Sequence, residues 1–159
     1  MFEQIIAALI AAEVRFVVIG GVAATVQGSA RFTNDIDICY DTAADNLERL
    51  VQLLQSWHAY LRDVEAALPF VLDVRALRTT PVMTLVTDVG AIDIFDRVAG
   101  VGNYADARAA SQLVAIGETD FRVLTLDALI AAKKATGRPK DREHLLELEA
   151  LRALRSSRS

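Results

Sequence analysis

Two aspartates separated by a single isoleucine, Asp35 and Asp37 in Asn34-Asp35-Ile36-Asp37-Ile38, and a third, Asp93 in Ile92-Asp93-Ile94, lie inside aliphatic runs where a solvated carboxylate is out of place. In extended backbone, residues two apart share a face, so Asp35 and Asp37 would point one way and Ile36 and Ile38 the other. Carboxylates crowded at the edge of a core repel one another and resist desolvation, and the cost is relieved when a cation neutralises them. Magnesium, or manganese in its place, suits such a site: it is hard, takes oxygen ligands and keeps open positions that substrate phosphates fill. A different reading has Asp35 capping the turn after Thr33-Asn34, with Asp37 and Asp93 at strand edges paired with Arg31 or Arg97. The coincidence of three acids with a glycine turn nearby favours the metal.

Around these acids the hydrophobic periods alternate between helix and strand. Residues 2–13 suit an amphipathic helix, and 16–19 a short buried strand that ends at Gly20-Gly21. Residues 22–27 read as a short helix closed by Gly28, 35–40 as the acidic strand, and 43–57 as a helix with Leu47, Leu50, Val51 and Leu54 on one face. The stretch 58–80 is the least regular; a strand is expected near 59–64 and a short helix near 73–78. Residues 82–86 and 91–95 flank Thr87-Asp88-Val89-Gly90 as an antiparallel hairpin, which puts Asp93 in mid-strand. Residues 112–116 and 121–124 make a second hairpin. Thr125 caps a helix running to about residue 136, Gly137 stops it, and Pro139 opens a last helix carrying Leu145, Leu146, Leu148, Leu151 and Leu154.

With 159 residues, 53% of them hydrophobic, the chain can bury a sizeable core as one domain without disulfides. Its one cysteine, Cys39, reads as a small buried hydrophobe and points to a reducing cytoplasm. The apolar run 5–12 is preceded by Glu3 and no basic residue, so neither a secretion signal nor a membrane span is expected. The net charge of −4 argues against a surface that coats nucleic acid, yet residues 131–159 carry 8 basic and 4 acidic side chains. That cationic segment either faces solvent or meets phosphate. His58 and His144 lack a Cys or His at metal-ligand spacing, which disfavours zinc, and Ser29 lacks the pattern of a hydrolase triad. Tyr40 and Tyr104 read as packing residues.

Gly20-Gly21, at a strand-to-helix turn, would let backbone N–H groups approach a phosphate, and Asp35 follows Gly21 by fourteen residues, room for one short helix and a return strand. In Ile19-Gly20-Gly21, Asp35-Ile36-Asp37-Ile38 and Ile92-Asp93-Ile94 the chain resembles the nucleotidyltransferase superfamily, the polymerase-β-like fold. It is similar in particular to small bacterial members related to abortive-infection-type toxins, through Gly28, Arg31-Phe32-Thr33, Lys133 and the turn Gly137-Arg138-Pro139-Lys140-Asp141. The likeness spans most of residues 14–151.

The resemblance implies an α+β fold, a central mixed sheet flanked by helices, in a single domain over 1–159 with a C-terminal helical segment at about 125–154. It implies transfer of a nucleoside monophosphate from a nucleoside triphosphate, ATP among the candidates, to a hydroxyl on an RNA end, a protein or a small molecule, with release of pyrophosphate. Asp35 and Asp37 would hold the ion that carries the β- and γ-phosphates, Asp37 and Asp93 a second ion that activates the acceptor. Asp93 is the base-side carboxylate in this scheme. Gly20 and Gly21 would cradle phosphate, and Lys133, Arg138 or Lys140 would pair with the triphosphate, Lys134 serving equally well. Arg31 would either neutralise Asp35 or Asp93 in the empty site or contact phosphate. A cognate antitoxin is an implied partner. The competing class is a degenerate nucleotide-binding or interaction module of a toxin–antitoxin pair; a third is a metal-dependent phosphohydrolase, which would release inorganic phosphate.

Overall fold

The alternating periods appear as alternating helices and strands over residues 2–65 and 68–158, which the computed structural model describes. The order is α1 (Phe2–Ala11), β1 (Phe16–Ile19), α2 (Gly20–Val26), β2 (Asp35–Tyr40), α3 (Ala44–Ser56), β3 (Tyr60–Leu61), α4 (Val74–Thr79), β4 (Val82–Thr87), β5 (Gly90–Phe95), β6 (Arg97–Val98), β7 (Gly102–Asn103), α5 (Tyr104–Ala109), β8 (Ser111–Ile116), β9 (Thr119–Leu124), α6 (Leu126–Thr136), a 3₁₀ turn (Pro139–Asp141) and α7 (Arg142–Ser157). Seven strands form one mixed sheet in the order β3-β4-β5-β2-β1-β9-β8, while β6 and β7 pair as a separate ribbon. The hairpins β4-β5 and β8-β9 are antiparallel, and two parallel contacts, β2 with β5 and β1 with β9, join distant parts of the chain.

The core lies where the sheet meets its helices. Val17, Val18, Ile36, Ile38, Leu85, Ile92 and Val123 are sealed in it, together with Leu9, Leu50 and Leu54 from α1 and α3. Helix α2 packs on β1 and β2, and α6 packs on both α2 and α7. The Thr125 hydroxyl accepts from Ala128 N at 3.2 Å to start α6, and Gly137 ends it in the left-handed conformation, φ 60°. Pro139 opens only the 3₁₀ turn, and α7 begins after it; along α7 Leu148 is buried, whereas Leu146 and Leu154 face solvent. Four elements differ from the sequence reading. β3 is two residues long, and the ribbon β6-β7 and α5 were not expected. Among the described residues no helix is long and apolar enough to cross a membrane.

Candidate active site

Asp35 and Asp37 come from β2 and Asp93 from β5. These strands run parallel with Asp37 opposite Asp93 and Asp35 opposite Ala91. Side-chain alternation then puts the three carboxylates on one face, and an oxygen from each lies within 4.8 Å of the others. The intervening Ile36, Ile38, Ile92 and Ile94 are buried on the other face, which fixes the register: a slip by one residue would turn the isoleucines out and the acids in.

Gly20 follows Ile19, the residue opposite Asp37 in the β1–β2 ladder. Its φ is +64°, and a Cβ there would overlap Asp37 Oδ2, so only glycine leaves this carboxylate its place. A Cβ on Gly21 would lie 2.9 Å from Thr33 Oγ1. That hydroxyl donates to the Asp35 carbonyl at 3.0 Å and so ties the incoming loop to the start of the acid strand.

Among the described residues one basic side chain reaches the acids, and it is Arg62, which the sequence reading passed over. Arg62 Nη2 donates to Asp93 Oδ1, and Nη1 lies 3.6 Å from Asp35 Oδ2. Arg31 does not take this place. It is exposed and its nearest acid is Glu143, at 3.8 Å, because the loop before β2 carries it toward α7.

Burial is the first cause that pushes the Asp37 carboxyl well above the ordinary aspartate range, and the charges of Asp93 and Asp35 add to it. Asp93 is raised too, by burial and by Asp35, with Arg62 opposing. Asp37 Oδ1 is buried with no hydrogen-bond partner. An orphaned carboxylate oxygen beside two further carboxylates fits a hard divalent ion, and the all-oxygen donor set suits magnesium or manganese.

Asp37 and Gly20 also line a cavity of about 430 Å³. Its walls are mostly apolar, with Pro81, Val82, Phe95, Val98, Leu129 and Ala132, and Arg97, Lys133 and Arg138 place cations in it. Lys133 and Arg138 are held by Asp141, at 3.1 and 3.0 Å. The structure thus brings together Asp35, Asp37, Asp93 and Gly20, with Lys133 and Arg138 on the same cavity. Lys140 is exposed outside that lining, and Lys134 pairs with Glu149 at 3.5 Å. Gly21 faces Thr33.

No family model matches the sequence, and no curated protein matches it at a significant level. Solved structures do match. A Thermotoga maritima protein provisionally described as a nucleotidyltransferase (TM1012) is 20% identical, with a TM-score of 0.58 over 92% of this chain and 88% of its own. The antibiotic-resistance factor ANT(2'')-Ia matches in its solution structure, at 15% identity and a TM-score of 0.59 over 99% of this chain and 90% of its own. It also matches in its crystal structure with adenylyl-2''-tobramycin, at 16% identity and a TM-score of 0.57 over 99% and 95% of the two chains. At these identities the likeness is one of architecture: the chain has the mixed-sheet fold of these nucleotidyltransferases.

Proposed function

We propose that this chain is a metal-dependent nucleotidyltransferase that moves a nucleoside monophosphate from a nucleoside triphosphate to a hydroxyl acceptor. One observation carries the reading: three carboxylates from two parallel strands converge within 4.8 Å, and the same Asp37 opens onto a cavity that also holds Gly20, Lys133 and Arg138. Asp35 and Asp37, with Asp93 beside them, would hold divalent magnesium or manganese, which when bound would neutralise phosphate charge and acidify the attacking hydroxyl. The apolar walls of the cavity would take the nucleoside, with Lys133 and Arg138 drawing the triphosphate and Gly20 and Gly21 presenting backbone to it. The acceptor oxygen bonds to the α-phosphorus, the bond from that phosphorus to the bridging oxygen breaks, pyrophosphate leaves, and the hydroxyl proton passes to Asp93. Asp93 suits that role because burial raises its basicity while Arg62 keeps it oriented. Most of the acceleration would come from positioning and charge neutralisation.

Because one structural neighbour is seen with adenylyl-2''-tobramycin, ATP and an aminoglycoside are the first donor and acceptor to test, followed by RNA and protein. A toxin-type role with a cognate antitoxin rests on the resemblance through Gly28, Arg31-Phe32-Thr33, Lys133 and the Gly137–Asp141 turn; growth arrest on expression that Asp37→Asn relieves would support it. For the activity itself, each α-labelled nucleoside triphosphate is supplied singly with these acceptors. Wild type should transfer label and release pyrophosphate, and Asp37→Asn should lose transfer by at least about a hundredfold. Equal turnover by the two proteins would defeat the proposal. Nucleotide binding without pyrophosphate release would make the chain a binding module.

A further inference from the structure

We propose that Arg62 stands in for a second cation, so that the site takes a single divalent ion, at Asp35 and Asp37. The inference rests on the metal-dependent reading above and concerns how many ions that site accepts. Arg62 follows β3 and is fixed from both ends by β4: its backbone N donates to Thr84 O at 2.9 Å, and Nη2 donates to Leu85 O at 3.2 Å as well as to Asp93. The side chain is 29% exposed, so this is no freely solvated surface arginine. Its Nε is buried with no partner. A guanidinium that leaves one of its own donors unsatisfied is oriented by the carboxylates it bridges, since the neutral surroundings offer it less.

The charges point the same way. With all three carboxylates ionised, as ion binding requires, they and one guanidinium carry a net −2, which one divalent ion cancels. The acid with an unmet oxygen is Asp37, through Oδ1, and Asp37 is also the one of the three that lines the cavity. Asp93, which a second ion would have to share, is already bonded to Arg62. Admitting that ion would break a charge-assisted pair and strand a partly buried guanidinium, an unfavourable exchange. Among the described residues no other basic side chain lies within ion-pair distance of the three acids; Lys133 and Arg138 pair with Asp141 instead.

The test counts ions directly, by manganese titration of the nucleotide-free chain followed by electron paramagnetic resonance of the free ion. Wild type and Arg62→Lys should bind one manganese per chain and Arg62→Gln two. Two in wild type, or one in Arg62→Gln, overturns the inference and leaves the metal-dependent reading standing; no bound manganese in any of them overturns both. Should Arg62→Gln fail to fold, Asp93→Asn decides. It should still bind one ion, held by Asp35 and Asp37, and a lost ion would refute the assignment.

Discussion

Asp37 and Asp93 face each other across the parallel pair of strands, yet they differ in what surrounds them. Asp93 has Arg62, while Asp37 has the other two acids, a glycine and an oxygen without a partner. Asp37 is therefore the residue that the ion-free fold tolerates least, and its charge is bearable only with a cation in place. Asp37→Asn should stabilise the chain in chelator at pH 8 by on the order of 1–3 kcal/mol, because the amide keeps the shape and removes the repulsion. Chemical denaturation of the two proteins side by side measures this, and a less stable variant would contradict the assignment. The acids themselves were legible in the sequence because charge inside an aliphatic run is conspicuous. Arg62 was not, since nothing local distinguishes it from Arg31, which sits four residues before Asp35 and ends near Glu143.

At the scale of elements, the turn from β1 into α2 and the end of α6 both use a left-handed glycine, and they answer to different constraints. Gly20 has φ +64° with Asp37 Oδ2 where a Cβ would go; Gly137 has φ +60° with nothing within 4 Å. Gly137→Ala should cost about 1–2 kcal/mol of stability from backbone conformation alone and leave manganese affinity unchanged. Gly20→Ala should cost at least as much and also displace Asp37, weakening manganese binding at least about tenfold. Equal ion affinity in the two variants would show that Gly20 serves only the turn. Helix α5 was missed although its start is written in the chain: Asn103 and Asp106 form a capping box, each side chain accepting from the other's backbone N at 3.1 Å. Its six residues are too few for a hydrophobic period to register.

For the whole molecule the acid cluster sets a pH dependence. Asp37 is pushed up to about 8, and Asp93 in the same direction, both first through burial. Between the ordinary aspartate range near 4 and about 8, the folded chain holds protons that the unfolded chain has released. Their contribution to stability is therefore full below about 4 and falls as pH rises to about 8. His144, held low by burial, gives the opposite trend as pH falls below its ordinary range, so the difference between wild type and Asp37→Asn isolates the cluster. That difference should grow from pH 5 to pH 8 in chelator, and magnesium should raise the melting temperature of wild type more at pH 8 than at pH 5. A magnesium gain that is equal at both values would place the ion elsewhere.

The local periods, the two caps of α6 and the faces of the acid strands can all be read along the chain, because helix and strand alternation, Thr125, Gly137 and the Ile-Asp-Ile spacing act over a few residues. Long-range packing sets the rest: β2 runs parallel to β5 with Asp37 opposite Asp93, Arg62 bridges Asp93 and Asp35, and Lys133 and Arg138 reach the cavity of Asp37. These are pairings between segments tens of residues apart, fixed by how the isoleucine faces pack into one core, and no local pattern encodes which distant partner a strand or a charge will meet.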